Sequence, residues 1–296
     1  MTMTTPDAPA MTPIPTLPES MTFLLIVSDP EIARFAHASG VARLFVDLEY
    51  MGKDIRQKGL DTWKSRQTPE DVTLIRQAVP DGHLLVRINP LHDGTRAELD
   101  DVLARGADSI MLPMFQSADD LARFMDLLRG RAEAVPLVET SGALAAVPQI
   151  CETLPLTRLH FGLNDLHLER KLHLMFELLA NGALDEATAA LRARDIRFGI
   201  GGIARAGEGL IGPERLLGEH VRLGSDAAIL SRTLHRGAPD LASLTASMDF
   251  PAELAKLQAI YGAFRHASAE HLERNSQETA ALINGVAATI RAKRSS

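Results

Sequence analysis

A single cysteine, Cys151, occurs in 296 residues. A lone thiol excludes an intramolecular disulfide and a thiolate metal cage. Basic residues are also in deficit: 31 Lys+Arg against 38 Asp+Glu leave a net charge of −7. Nucleic-acid coating rests on an excess of Lys and Arg, so no nucleic-acid partner is expected. No apolar run approaches 18 residues, which argues against a membrane-spanning helix. No Lys or Arg precedes Arg34, so the basic pattern of a signal or transit peptide is missing. The expectation is a soluble, cytoplasmic protein. What the chain does have is apolar content, 46%, enough to bury a substantial core.

Residues 1–20 carry five prolines and no apolar period, and are expected to form a disordered Pro/Thr-rich tail. From Met21 onward, eight short apolar runs alternate with helical patterns. They begin near Phe23, Arg43, Leu84, Ser109, Ala134, Arg158, Ile196 and Asp226. Each is apolar on both parities and ends in polar residues, as fully buried parallel strands do. Thr68-Pro69-Glu70-Asp71 reads as a helix start, Thr95 to Glu98 as a capping box, and Ser117 as another cap. Strand–helix alternation over this length predicts an α/β fold, a (β/α)8 TIM barrel across 21–250. A doubly wound sheet is the competitor, but SDPEIAR follows the first strand where that fold usually has a Gly-rich turn. Beyond Pro251 two further helices form a C-terminal extension, 251–296. They either pack over the barrel or exchange with another subunit.

In such barrels the chemistry lies at the C-terminal strand ends. The second run closes in Asp47 and Glu49, the third in Arg87 and Asn89, the fifth in Glu139 and Thr140, the sixth in Asn164 and Asp165. Crowded carboxylates repel unless a cation lies among them. Oxygen donors without cysteine favour Mg²⁺ or Mn²⁺, and Glu139 with Asp165 make the best pair. Arg87 suits a substrate carboxylate or an enolate oxygen, because its planar fork presents five donors. For any single rim acid, a structural ion pair is the competing explanation.

The segments LFVDLEY, LLVRINP, GADSIMLPM, PLVETSGAL and HFGLNDL carry a resemblance. In this order, with Glu139 and Asp165 26 positions apart, they resemble the HpcH/HpaI aldolase and citrate lyase beta-subunit family of the phosphoenolpyruvate/pyruvate barrels. The match runs from about Leu44 to Leu166 and extends more loosely over about 230 residues. The resemblance implies a divalent metal on Glu139 and Asp165, with Arg87 and Gly162 binding substrate. It implies carbon–carbon lyase or aldolase chemistry through a metal-bound enolate of a pyruvate-like 2-oxo acid. A homo-oligomer built through the C-terminal helices is implied as well. A citrate-lyase-like acyl-CoA lyase or condensing enzyme is the alternative within the fold, and a non-catalytic ligand-binding barrel the alternative outside it.

The chain departs from the family where aldolases carry DxEH: here the string is Asp47-Leu48-Glu49-Tyr50, without the histidine. Asp47, Glu49, a residue of the insert that follows, or a metal-bound water are the candidates for the base. The insert gathers Lys53, Arg56, Lys58, Lys64 and Arg66, plus Trp63, the only tryptophan. It reads as a solvated loop or as a lid for phosphate, carboxylate or CoA. His160 is expected to be a packed strand residue, His167 and His173 to be structural, Cys151 a small buried side chain, and the 199–202 glycines to allow close backbone packing.

Overall fold

The protein is described by a computed structural model covering residues 17–52, 67–234 and 238–295. Eight strands close into a barrel in sequence order: β1 (Thr22–Ile26), β2 (Arg43–Asp47), β3 (His83–Arg87), β4 (Ser109–Leu112), β5 (Glu133–Val138), β6 (Arg158–Phe161), β7 (Arg197–Ile203) and β8 (Ala227–Leu230). Every neighbouring pair is parallel, including β8 with β1. The two-parity apolar pattern has a direct cause. Leu24, Phe45, Leu85, Met111, Val135, Leu137 and Ala227 fill the barrel interior. Their sequence neighbours Phe23, Leu44, Val46, Leu84, Val86 and Ile110 face the surrounding helices.

Between the strands run α1 (Pro30–Ala38), α2 (Pro69–Ala78), α3 (Thr95–Ala104), α4 (Ala118–Leu128), α5 (Ser141–Thr153), α6 (Leu163–Glu169), α7 (Glu177–Ala180), α8 (Asp185–Ala193) and α9 (Pro213–Leu223). The Asp71 carboxylate accepts the Thr68 amide at the start of α2, and Ser117 Oγ accepts the Asp120 amide at the start of α4. The capping box expected at Thr95 does not form. Gly94 holds the cap position, and the Thr95 hydroxyl accepts the His92 amide. The Glu98 carboxylate is drawn instead to Asn89.

After β8 come α10 (Leu241–Ser247), α11 (Phe250–Arg265) and α12 (Ala269–Ser295). α11 packs on α9, and α12 on α9 and α7 of the same chain. Of the segment expected to be a tail, 1–16 lie outside the described residues, and the description begins within it, at Leu17. Leu17 is buried, and Gln258 exchanges two hydrogen bonds with the Met21 backbone, both 2.9 Å. The Tyr261 hydroxyl donates to the Pro18 carbonyl. This short stretch has apolar cover beside α11 that a Pro count does not reveal.

The N-terminal end of the barrel is closed by ion pairs. Arg43 meets Glu133 at 2.5 Å, and Arg158 forks onto Asp226 at 2.9 and 3.3 Å. The opposite rim is left for the site.

Candidate active site

Asp47 and Arg87 are register partners at the ends of β2 and β3. Arg87 Nε donates to Asp47 Oδ1 and Nη2 to Oδ2, each at 2.8 Å, a two-pronged carboxylate–guanidinium pair. Glu49 Oε2 lies 3.5 Å from the same Nε, and the guanidinium stacks 5.7 Å from the Phe45 ring centroid. Burial disfavours the guanidinium charge. Asp47, its hydrogen bond, Glu49 and Glu139 outweigh that and hold Arg87 above its ordinary value. The rim therefore carries a permanent cation among acids.

Glu139 follows β5 and is buried, 3% exposed. Its Oε1 accepts the Met114 amide at 3.1 Å, and Met114 adopts φ 58°, a left-handed conformation uncommon for a side-chain-bearing residue. Across from it, a Cβ on Gly162 would lie 2.9 Å from Glu139 Oε2, so only glycine leaves the carboxylate its place. The Thr140 hydroxyl donates to the Phe115 carbonyl at 2.7 Å and accepts the Ala143 amide at 3.0 Å, locking the corner between β5 and α5. Burial, and then the like charges of Glu49 and Asp165, push Glu139 up to about 8 against the opposing pull of Arg87 and the Met114 amide.

The sixth strand is shorter than its sequence suggests. β6 ends at Phe161, and Asp165 comes from the first turn of α6 rather than from a strand end. The Glu169 carboxylate at the far end of α6 accepts the Ser141 amide at 2.6 Å, tying that helix to the start of α5 and hence to the segment bearing Glu139.

These groups fit a hard divalent cation. A carboxyl whose proton affinity is raised by burial, and further by two neighbouring carboxylates, gains from positive charge, and all the donors are oxygens. Among the described residues no three His, Cys, Asp or Glu side chains form a ready ligand cluster. Glu139 and Asp165 would therefore leave positions for water and substrate, as Mg²⁺ tolerates.

The fold brings Asp47, Glu49, Arg87, Glu139, Gly162 and Asp165 to one end of the barrel. Tyr50, which stands where the aldolase histidine would be, is 70% exposed. Lys53, Arg56, Lys58, Trp63, Lys64 and Arg66 lie outside the described residues. His160 is packed inside the barrel, its Nε2 3.1 Å from the Gly201 carbonyl. Burial, opposed by that contact, lowers it to about 4. Sequence reasoning missed the Met114 amide, since no residue type announces a left-handed non-glycine. It also missed Gln67, whose side chain accepts the Asp47 amide and donates to the Val27 carbonyl, both at 2.7 Å.

A closed parallel (β/α)8 barrel with a buried acid–arginine rim is the class of molecule that this fold and site define. Solved structures of similar fold include HpcH/HpaI aldolase and citrate lyase beta-subunit family proteins. One is an HpcH/HpaI aldolase/citrate lyase family protein from Burkholderia cenocepacia J2315, with a TM-score of 0.58 and 15% identity. The match covers 78% of this chain and 96% of that one. Another is an HpcH/HpaI aldolase from Desulfitobacterium hafniense DCB-2, with a TM-score of 0.55 and 15% identity, over 80% and 93% of the two chains. A third is the citrate lyase beta subunit from M. tuberculosis complexed with oxaloacetate and magnesium. Its TM-score is 0.56 at 16% identity, over 82% and 97%. Likeness at this identity establishes the shared fold. No protein-family model and no curated protein sequence matches the chain.

Proposed function

We propose that the protein is a divalent-metal-dependent carbon–carbon lyase or aldolase acting on a pyruvate-like 2-oxo acid through its enolate. The observation that carries this reading is the Asp47–Arg87 fork beside a buried Glu139 that feels both Glu49 and Asp165. A fold-mate complexed with oxaloacetate and magnesium supports the substrate class and the metal. Glu139 and Asp165 would hold Mg²⁺ or Mn²⁺, which supplies Lewis-acid polarisation of the substrate's 2-oxo oxygen. Arg87, oriented by Asp47, binds the substrate carboxylate and opposes the negative charge that develops as the carbon–carbon bond breaks. In the cleavage direction the electron pair of that bond passes into the enolate, and the aldol hydroxyl proton passes to a carboxylate. Glu49 is our assignment for that acceptor, with Asp47 already committed to Arg87. Gly162 keeps the space beside Glu139 open.

The replacement of the aldolase histidine by an exposed Tyr50 favours one second reading, a citrate-lyase-like acyl-CoA lyase or condensing enzyme. Deuterium exchange from solvent into pyruvate and short 2-oxo acids, followed by NMR, separates the two. Exchange with Mn²⁺ or Mg²⁺ that EDTA abolishes is expected, and that Arg87→Ala loses. No exchange with any 2-oxo acid would overturn the first reading and direct the same assay to CoA thioesters.

A further inference from the structure

Asn89, two residues past Arg87, is 4% exposed and bonds to the chain segment that follows Glu49. Its Oδ1 accepts two successive backbone amides, Tyr50 at 3.1 Å and Met51 at 3.0 Å. Its Nδ2 donates to Glu98 Oε1 at 2.8 Å, and its own backbone N–H donates to the same oxygen at 3.1 Å. Glu98 is held from its other side, with Oε2 3.1 Å from His92 Nε2. The Gly94 amide donates to His92 Nδ1, which assigns the ring proton to Nε2 and makes that nitrogen the donor to Glu98. A continuous hydrogen-bonded chain thus runs from the first turn of α3 to the turn after β2.

At the near end of the same turn, the Glu49 amide donates to Asp47 Oδ1 at 3.2 Å, and the Asp47 amide donates to Gln67. Residues 47–51 are therefore gripped on both flanks, with Glu49 between the grips and its carboxylate against Arg87. An amide side chain suits the outer grip. One atom must accept two N–H groups while another donates to a carboxylate, and Asn offers both within one short side chain. The same demand explains why Glu98 abandons the helix cap expected of it.

We propose that Asn89 is a positioning residue: by seating the Tyr50 and Met51 amides on its side-chain oxygen it fixes the turn that aims Glu49 at Arg87. The proposal rests on the reading of this rim as the active site, but its first test does not. Amide hydrogen exchange of the full chain is measured at Tyr50 and Met51. In Asn89→Ala both amides should exchange about tenfold faster, as a lost hydrogen bond to each would give. Exchange in β5 should be unchanged. With substrate, kcat should fall at least about tenfold while KM and Mn²⁺ affinity stay within about twofold, since Glu139 and Asp165 are untouched.

Should Asn89→Ala fail to fold, Glu98→Ala frees the Asn89 side chain and should speed exchange at the same two amides. Native exchange at Tyr50 and Met51 in a folded variant overturns the proposal. So does faster exchange with undiminished kcat. If the native protein turns over no 2-oxo acid or thioester, the functional reading fails while the exchange result still decides the grip.

Discussion

Burial, and then two acidic neighbours, act in the same direction on Glu139 and hold its carboxyl well above the ordinary carboxylate range, at about 8. Proton and cation must then compete for it. Mn²⁺ affinity, read from the free-ion signal in electron paramagnetic resonance, should weaken as pH falls through about 8, and Glu139→Gln should be weak at every pH. Gly162→Ala tests the same carboxylate without replacing it. The new methyl would meet Oε2 at 2.9 Å and should cost about 10–100-fold in Mn²⁺ affinity. Equal affinity in both variants would remove Glu139 from metal binding. At this scale much was legible in advance: Asp47, Glu49, Arg87 and Glu139 stand out as polar residues closing apolar runs. The Met114 amide was not, because a backbone donor has no residue-type signature.

Among the elements, β6 and β7 are brought close by a mismatch of side-chain size. His160 fills the barrel layer it shares with Gly199, and a Cβ on Gly199 would lie 2.3 Å from His160 Nδ1 and 3.0 Å from the Ala227 carbonyl. Gly199→Ala should therefore destabilise the fold by about 1–3 kcal/mol through overpacking. A shift of the urea midpoint at constant slope reads this, and an unchanged midpoint would show that the imidazole yields freely. Strand identity was legible from the two-parity apolar pattern, whereas boundaries were less so. Asp165 belongs to a helix turn because β6 stops after four residues, and the Thr95 box fails because Asn89 competes for Glu98. Both outcomes depend on neighbours distant in the chain.

For the molecule as a whole, two kinds of buried group set opposite pH limits. Burial holds His160 at about 4, and burial together with His160 holds His220 at about 3. Folded values below the ordinary 6.5 mean that stability from the neutral rings is complete above 6.5 and is lost as pH falls toward 4 and 3. Glu139 is raised from 4.5 to about 8, so its contribution is complete below 4.5 and is lost as pH rises through 8. Thermal melts across pH in EDTA should decline on both sides. Adding Mn²⁺ or Mg²⁺ should restore the alkaline side and leave the acid side unchanged. Stabilisation confined to the acid side would contradict the placement of the cation beside Glu139.

The eight-stranded alternation and the polar residues that close the second, third and fifth runs were determined by the sequence alone, because apolar periodicity and turn chemistry are local properties. That the residues closing the second and third strands form one ion pair, that Gly162 must be bare for Glu139, and that Asn89 draws Glu98 off its helix were decided only by tertiary structure. Each depends on which strand lies beside which, and on distances of about 3 Å between residues 23 to 40 positions apart in the chain, or only nine for Asn89 and Glu98. Barrel closure sets those distances, and no local pattern encodes them.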